Sequence, residues 1–231
     1  MSGTIHYHDL LAQTAVRCNA LVGTDPVELQ VTYSTRPLID ELFDSSIFPM
    51  NAIRDAIIDC EGKMAQAISL SANRTLRAHL RALSDPLASG DPLPTQATSK
   101  PVIGNLGMIR DADNAHIMTR KPVATVQNYL DAPNIYLLSI YNYALDGATI
   151  IHTRDEVVAE CCVYDAADQT DAFNANDLIL LPDSLAEAYI NGAMALLMRD
   201  DEWTDQATRY AGYFTTFLAT LPPAEMEQAA A

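Results

Sequence analysis

The chain has 231 residues, 49% of them hydrophobic and 19% charged, and a formal net charge of −16. A chain of this length and composition is expected to bury a sizeable core, and its acidity argues against a protein that grips nucleic acid by neutralising phosphates. No apolar run is long enough to span a membrane, and the first residues lack a signal-peptide pattern. We therefore expect neither a transmembrane helix nor a signal peptide.

Helical periodicity begins near the start of the sequence. Apolar residues recur every three or four positions in 8–21 and predict a first helix. The longest apolar stripe runs from Ile53 to Leu83, with Pro49 before it and Pro86 after it. We therefore predict one helix over 51–83, about 50 Å long at 1.5 Å per residue.

The middle of the chain predicts a proline-rich arm followed by strands. Residues 84–101 contain four prolines among Ser, Gly, Asp and Thr, which favours an extended arm that only a partner would order. A short helix is predicted over 122–130. Apolar runs flank Asp146-Gly147, a strong hairpin signal, and a third run follows. Residues 134–165 therefore predict a three-stranded antiparallel meander.

The C-terminal part predicts a helical hairpin over 178–221. An acidic loop over 166–177 precedes a helix over 182–199 with Pro182 in its first turn. The second helix, 203–221, carries a heptad-like seam formed by Trp203, Ala207, Tyr210, Phe214, Phe217 and Leu221. Gly192 and Gly212 would let the two helices approach closely. Residues 222–231 are expected to form a loose tail.

These elements predict an α+β fold in a single domain over 1–231. Its helical core combines the long central helix with the C-terminal hairpin. A small antiparallel β-meander and the extended proline-rich arm complete the architecture.

Common reaction signatures are missing from the sequence. We find no phosphate-binding glycine loop, no nucleophile elbow and no zinc-protease motif. The four cysteines, Cys18, Cys60, Cys161 and Cys162, form no CxxC pair, and we interpret them as reduced thiols. His6 and His8 lack cysteine partners at zinc spacing. The sequence therefore predicts no enzyme activity, no catalytic residue, no metal and no cofactor.

One basic cluster stands out in this acidic chain. No acid occurs between Gly62 and Ser84, whereas Arg74, Arg77 and Arg81 do. On a continuous helix they would lie opposite the apolar stripe, where they could meet an acidic face of another copy or of a partner. The alternative is an ordinary solvated helix face.

Residues 178–221, LILLPDSLAEAYINGAMALLMRDDEWTDQATRYAGYFTTFLATL, carry a family likeness. Leu181-Pro182 precedes a helix of small and apolar residues, Asp200 to Glu202 form an acidic break, and Tyr210 and Phe214 lie on the second helix. This segment resembles the head-to-tail adaptor (connector) proteins of tailed bacteriophages. The order of the preceding elements also matches that family.

The resemblance implies a structural protein of the virion rather than an enzyme. Adaptors form a ring, usually of twelve copies, that joins the portal protein to the tail nozzle or tube at the head–tail junction. Genomic DNA passes through the ring without specific binding, and the ring is assembled in the cytoplasm of the bacterial host. Arms and tails commonly reach the portal, and here these would be 84–101 and 222–231.

The acidic half of the chain suits such a ring. Residues 121–231 contain 17 acids and 4 bases, against 13 and 10 in the first 120 residues. A wall of carboxylates repels phosphate and would let DNA slide. The candidate channel-facing or tail-facing surface comprises Asp165, Asp168, Asp171 and Asp177. The alternative is a solvated acidic loop that serves only solubility.

Two further readings stay open from the sequence. One is a small soluble enzyme whose site is assembled only in three dimensions, which a deep pocket with converging polar groups would reveal. The other is a monomeric regulatory or binding protein, which would remain a monodisperse 25 kDa species.

Overall fold

The computed structural model describes residues 4–21, 47–104, 106–132, 140–199 and 203–221. The predicted α+β class is confirmed. Where the sequence predicts one domain, the chain forms two compact units. Met1–His79 and Asp165–Ala231 make a helical unit, and Leu80–Tyr164 make a β-rich unit. The helical unit is therefore assembled from both ends of the sequence around an inserted segment with its own core.

Helices dominate the first unit. Among the described residues the α-helices are α1 (Tyr7–Leu21), α2 (Met50–Ser69), α3 (Arg74–Arg77), α4 (Val123–Asp131), α5 (Ala166–Asn174), α6 (Ala186–Leu197) and α7 (Thr204–Thr220). All except α4 belong to the helical unit. The predictions over 8–21, 122–130 and 203–221 are confirmed as α1, α4 and α7. The prediction over 182–199 is confirmed as α6, which a 3-10 turn (Asp183–Leu185) precedes.

The prediction of one helix over 51–83 is wrong, because α2 ends at Ser69. The hydroxyl of Ser69 donates to the carbonyl of Gln66 at 2.7 Å, and that of Ser71 donates to the carbonyl of Ile68 at 2.8 Å. Such local side-chain bonds compete with helix continuation. The side chain of Asn73 then accepts from the Leu76 N–H at 3.1 Å and starts the short helix α3.

Close approach of α6 to its neighbours depends on Gly192. A Cβ atom there would lie 2.1 Å from Cys60 Sγ on α2 and 3.1 Å from a ring carbon of Phe214 on α7. The prediction that Gly192 permits close packing is confirmed. The same prediction for Gly212 is wrong, because no atom lies within 4 Å of the corresponding Cβ position.

The β-rich unit contains eight short strands among the described residues. They are β1 (Arg81–Leu83), β2 (Gln96–Ala97), β3 (Lys100–Ile103), β4 (Ile109–Asp111), β5 (Thr119–Arg120), β6 (Asn142–Asp146), β7 (Thr149–His152) and β8 (Val157–Val163). The hairpin at Asp146-Gly147 is confirmed, since β6 pairs antiparallel with β7 and Gly147 has a φ of +61°.

The predicted three-stranded meander over 134–165 is wrong about its third strand, which does not pair with the second. Residues 134–139 lie outside the described residues. Strand β8 pairs with β1 at one edge and with β4 and β3 at the other, not with β7. Burial alternates along most of β8: Val157, Ala159 and Cys161 are buried on one face, and Cys162 is buried on the other. Partners along both edges place β8 inside its sheet.

The arm predicted over 84–101 is built into the β-rich unit, so the prediction of an unpacked arm is wrong. The N–H groups of Ser84 and Leu87 donate to β8, and those of Gly90 and Leu93 donate to the β7 strand and the turn before it, over 2.7–2.9 Å. Pro86 and Pro92 fall between these donors, where no N–H is required. The segment therefore joins the two sheets, and Leu87 and Leu93 pack against the core of the unit.

Within the described parts of the chain, no helix combines the length and the apolar character needed to cross a membrane.

Candidate functional site

The three predicted arginines do not share one helix face. Arg74 and Arg77 lie on α3 in the helical unit, whereas Arg81 lies on β1 in the β-rich unit. The Arg81 guanidinium pairs with the Glu160 carboxylate on β8 at 3.1 Å. The predicted common face fails because it assumed that α2 continues to residue 83.

Arg74 and Arg77 remain a candidate contact surface, which we call the α3 pair. Neither guanidinium forms an ion pair with any described residue, whereas Arg17, Arg54 and Lys63 of the same unit each pair with a carboxylate. Arg74 is exposed and Arg77 is half-buried. In a chain of net charge −16, an unpaired basic pair is available to a partner of opposite charge.

The four predicted acids lie on and beside a helix, so the prediction of a loop over 166–177 is wrong. The side chain of Asp165 caps α5 by accepting the Ala167 N–H at 2.9 Å, and Asp168 lies in the first turn. Carboxylates at these positions favour a helix through its dipole. Asp171 and Asp177 are exposed. The four residues therefore lie on α5 and directly beside it, and their facing a channel or a tail stays a prediction.

Helix α7 carries the predicted seam but has no fully buried residue. All six seam positions are half-buried, including Trp203, Tyr210, Phe214 and Phe217. Tyr213, outside the seam, is 47% exposed. Within the seam, Phe214 lies beside Gly192 of α6 and Trp203 packs edge-on against Phe48. The chain covers these large side chains incompletely.

Sequence reasoning missed a buried carboxyl group at Glu61, which is 0% exposed. It lies on α2 four residues after Ile57 and three before Met64, both buried, so it occupies a position in the apolar stripe. A lone acid in such a stripe is the signal that could have found it. The Tyr7 hydroxyl lies 2.9 Å from both carboxyl oxygens, and the Tyr189 hydroxyl bonds Oε1.

Burial governs the ionisation of this group. Removal from water raises the pKa of Glu61 from 4.5 to about 7, and bonds from Tyr189, Tyr7 and the Leu180 N–H offset only part of that effect. Burial together with the neighbouring carboxyl also raises the pKa of Tyr189 well above 10. The cluster therefore holds a carboxyl that gains and loses its proton near neutral pH.

The β-rich unit buries a histidine and an ion pair. His152 is 0% exposed, its Nε2 lies 3.1 Å from the Leu87 carbonyl oxygen, and burial lowers its pKa below 6.5. The Asp111 carboxylate pairs with the Arg154 guanidinium and accepts the Asp113 N–H at 2.8 Å. Burial acts to raise the pKa of Asp111, but those bonds outweigh it and the pKa is lowered.

The thiols are placed for packing rather than for chemistry. Each of the four cysteines is free and buried, and burial raises the pKa of Cys18 to about 12 and that of Cys161 to about 11. Such thiols are poor nucleophiles at neutral pH. Within the described ranges, no three His, Cys, Asp or Glu side chains are grouped to hold a metal ion. The surfaces and the Glu61 cluster thus remain the candidate functional features.

Comparison with known proteins leaves the family open: no protein-family model matches the sequence, and no curated protein is significantly similar to it.

Proposed function

We propose that the chain is a head-to-tail adaptor, which forms a ring between the portal protein and the tail and lets genomic DNA pass. The hairpin of α6 and α7 supports this proposal, because it follows the order of elements in the segment that resembles the adaptor family. A virion adaptor acts through its surfaces, and the features singled out in the helical unit are surfaces and packing contacts.

The observation that carries the proposal is the incomplete cover of α7. A helix of 17 residues contains no buried side chain, although aromatic residues occupy much of its seam. Apolar side chains that one copy leaves half-covered are stabilised when a second copy buries them. Ring assembly of identical copies would supply that cover.

Charge supports the remaining contacts. The α3 pair offers two guanidinium groups without ion-pair partners among the described residues to an acidic surface of the portal or of another copy. The acids at and after the start of α5 offer a surface that repels phosphate, as a DNA channel or its exit requires. No catalytic step is assigned to any residue.

Negative-stain imaging of the purified protein mixed with portal rings tests the proposal. We expect an additional ring density on one face of the portal in the wild-type mixture. A chain that stays monodisperse at 25 kDa and leaves the portal undecorated would contradict the adaptor function and favour a monomeric binding protein.

Charge reversal then tests the α3 pair within that assay. R74E with R77E should weaken ring formation or portal docking, more so as ionic strength is lowered. The matched control is R120E with K121E, an exposed pair in the β-rich unit whose reversal changes the net charge equally. If both double variants assemble like the wild type, the α3 pair is only solvated.

A further inference from the structure

Glu61 links separate elements of the helical unit through hydrogen bonds. The Tyr7 hydroxyl on α1 and the Tyr189 hydroxyl on α6 both bond the Glu61 carboxyl. From α5 comes Gln169, whose Oε1 lies 2.7 Å from the Tyr7 hydroxyl oxygen. The Leu180 N–H, in the segment before α6, also bonds the carboxyl. One buried carboxyl group on α2 therefore connects three other helices.

Counting hydrogens shows that these contacts suit a neutral carboxyl group. A protonated Glu61 can donate its O–H to the Tyr7 oxygen, and the Tyr7 hydroxyl is then free to donate to Gln169 Oε1. Tyr189 and the Leu180 N–H donate to the carboxyl oxygens. In this arrangement every hydrogen has one acceptor, and the chain of bonds from α2 through α1 to α5 is unbroken.

Ionisation of Glu61 removes that O–H donor and leaves the single Tyr7 hydrogen between two acceptors. Tyr7 has a single hydroxyl hydrogen, and the carboxylate claims it, so Gln169 must turn its amide or lose its bond. The groups that bond the carboxylate are uncharged: Tyr7 from α1, Tyr189 from α6 and the backbone N–H of Leu180. Gln169 from α5, which is also uncharged, bonds Tyr7. No described Lys, Arg or His side chain compensates the buried charge, which makes ionisation costly in the docked state.

We propose that Glu61 is a protonation-controlled latch: α1 stays docked on the helical unit while Glu61 is neutral and is released when Glu61 ionises. The raised pKa, about 7, places this transition near neutral pH. Other polar contacts also hold the α1 segment, among them His6 Nδ1, which lies 2.7 Å from the Asn176 carbonyl oxygen, and the variant E61Q distinguishes their contribution from that of Glu61. Arg17 pairs with the exposed Glu187, and Thr4 bonds Asp183, whose pKa is lowered.

Release should involve α1 rather than the whole unit. The contact between α2 and α6 has its own support in the close fit of Gly192 against Cys60, which does not involve Tyr7. Helix α1 contributes the one link in the cluster whose hydrogen is contested between Glu61 and Gln169. Local opening of one element at a lower free energy than global unfolding is a common property of folded proteins.

The four buried cysteines give an intrinsic readout of such opening. Cys18 lies in α1, Cys60 lies in α2 against α6, and Cys161 and Cys162 lie in β8. Native-state alkylation of the full chain, mapped by peptide mass spectrometry, reports which thiols become accessible. Each rate is divided by that of the unfolded chain at the same pH, because the thiolate is the reacting species.

The latch predicts a selective response of Cys18. Its normalised labelling rate should rise by about 10- to 100-fold between about pH 5 and about pH 8.5, whereas the rate of Cys60 stays low. E61Q keeps a neutral amide in place of the carboxyl and should abolish this pH dependence. D59N, an exposed position on the same helix paired with Lys63, is the matched control and should behave like the wild type.

Three results would overturn the latch. Parallel acceleration of Cys18 and Cys60 would show that the helical unit opens as a whole. A Cys18 rate that does not change with pH would show that ionisation has no effect on docking. Persistence of the pH response in E61Q would assign it to another group. Protected Cys161 and Cys162 in each variant confirm that the β-rich unit stays folded during the measurement.

Discussion

The helical unit and the β-rich unit handle buried ionisable groups in opposite ways. The β-rich unit pairs Asp111 with Arg154 and buries His152, which lowers the pKa of that imidazole. The helical unit surrounds Glu61 with uncharged donors alone and leaves Arg74 and Arg77 without ion-pair partners among the described residues. The buried carboxylate of the β-rich unit thus has a counter-charge, whereas the buried carboxyl of the helical unit has none among the described residues.

This difference indicates that the two units are suited to different roles in the protein. A unit whose charges are paired and whose core is enclosed by strands is suited to be a constant part of the molecule. A unit with a titrating buried carboxyl, an unpaired basic pair and a half-covered helix α7 is suited to change and to assemble. The following predictions test the contrast between the units, beginning with the largest effect.

Gly192→Ala should destabilise the helical unit most, by about 3 kcal/mol, because the added methyl group collides with Cys60 Sγ. Urea unfolding, followed by the fluorescence of the single tryptophan Trp203, measures the stability of this unit. Gly212→Ala is the control and should instead stabilise by about 1 kcal/mol, since its Cβ position is open. Equal effects of the two substitutions would disprove the close approach of α6 to α2 at Gly192.

Asp111→Asn should destabilise the β-rich unit by about 3 kcal/mol, because it removes the buried carboxylate that pairs with the largely covered Arg154 guanidinium. Alkylation of Cys161 and Cys162 at increasing urea concentration measures the stability of this unit. Asp113→Asn, an exposed position in the adjacent turn, is the control and should change the stability little. A neutral result for Asp111→Asn would mean that the pair contributes no stability.

The pH dependence of stability should have opposite signs in the two units. Folded Glu61 holds its proton between 4.5 and about 7 where the unfolded chain does not, so the helical unit loses stability as pH rises through that window. The loss amounts to at most about 3 kcal/mol. His152 has a lowered pKa, so the β-rich unit loses stability as pH falls below 6.5. Protection factors from amide hydrogen exchange measure the stability of both units at each pH in one sample.

R74E with R77E should leave the stability of the helical unit within about 0.5 kcal/mol of the wild type, because neither residue has an ion-pair partner to lose. Thermal unfolding of the double variant beside R120E with K121E checks this. A large loss of stability for R74E with R77E alone would reveal an intramolecular role for the α3 pair and remove it as a candidate partner surface.

Local patterns in the sequence predicted most of the helices and one hairpin. The seam of α7 and the turn at Asp146-Gly147 depend on neighbouring residues, which the sequence displays directly. The end of α2 was missed because the apolar stripe keeps its spacing beyond Ser69 by coincidence, while Ser71 and Asn73 turn the backbone away. Hydrogen bonds of small polar side chains outweighed the periodicity.

Long-range pairing and buried polar groups could not be predicted from the sequence. The prolines of 84–101 indicated an arm, yet Pro86 and Pro92 occupy positions at which a strand-like segment needs no N–H donor. The partners of Glu61 on α1 and α6 lie 54 and 128 residues away, so no local spacing brings them together. The sequence places the acids of 165–177 in a loop, whereas most of that segment is the helix α5.

A side-chain-resolution reconstruction of the protein assembled on its portal tests most directly the claim that the helical unit is the assembling part. The account predicts a ring in which neighbouring copies cover the half-buried seam of α7 and in which Arg74 and Arg77 contact carboxylates of another copy or of the portal. A ring whose copies meet only through the β-rich unit, with α7 and both arginines facing solvent, would contradict it.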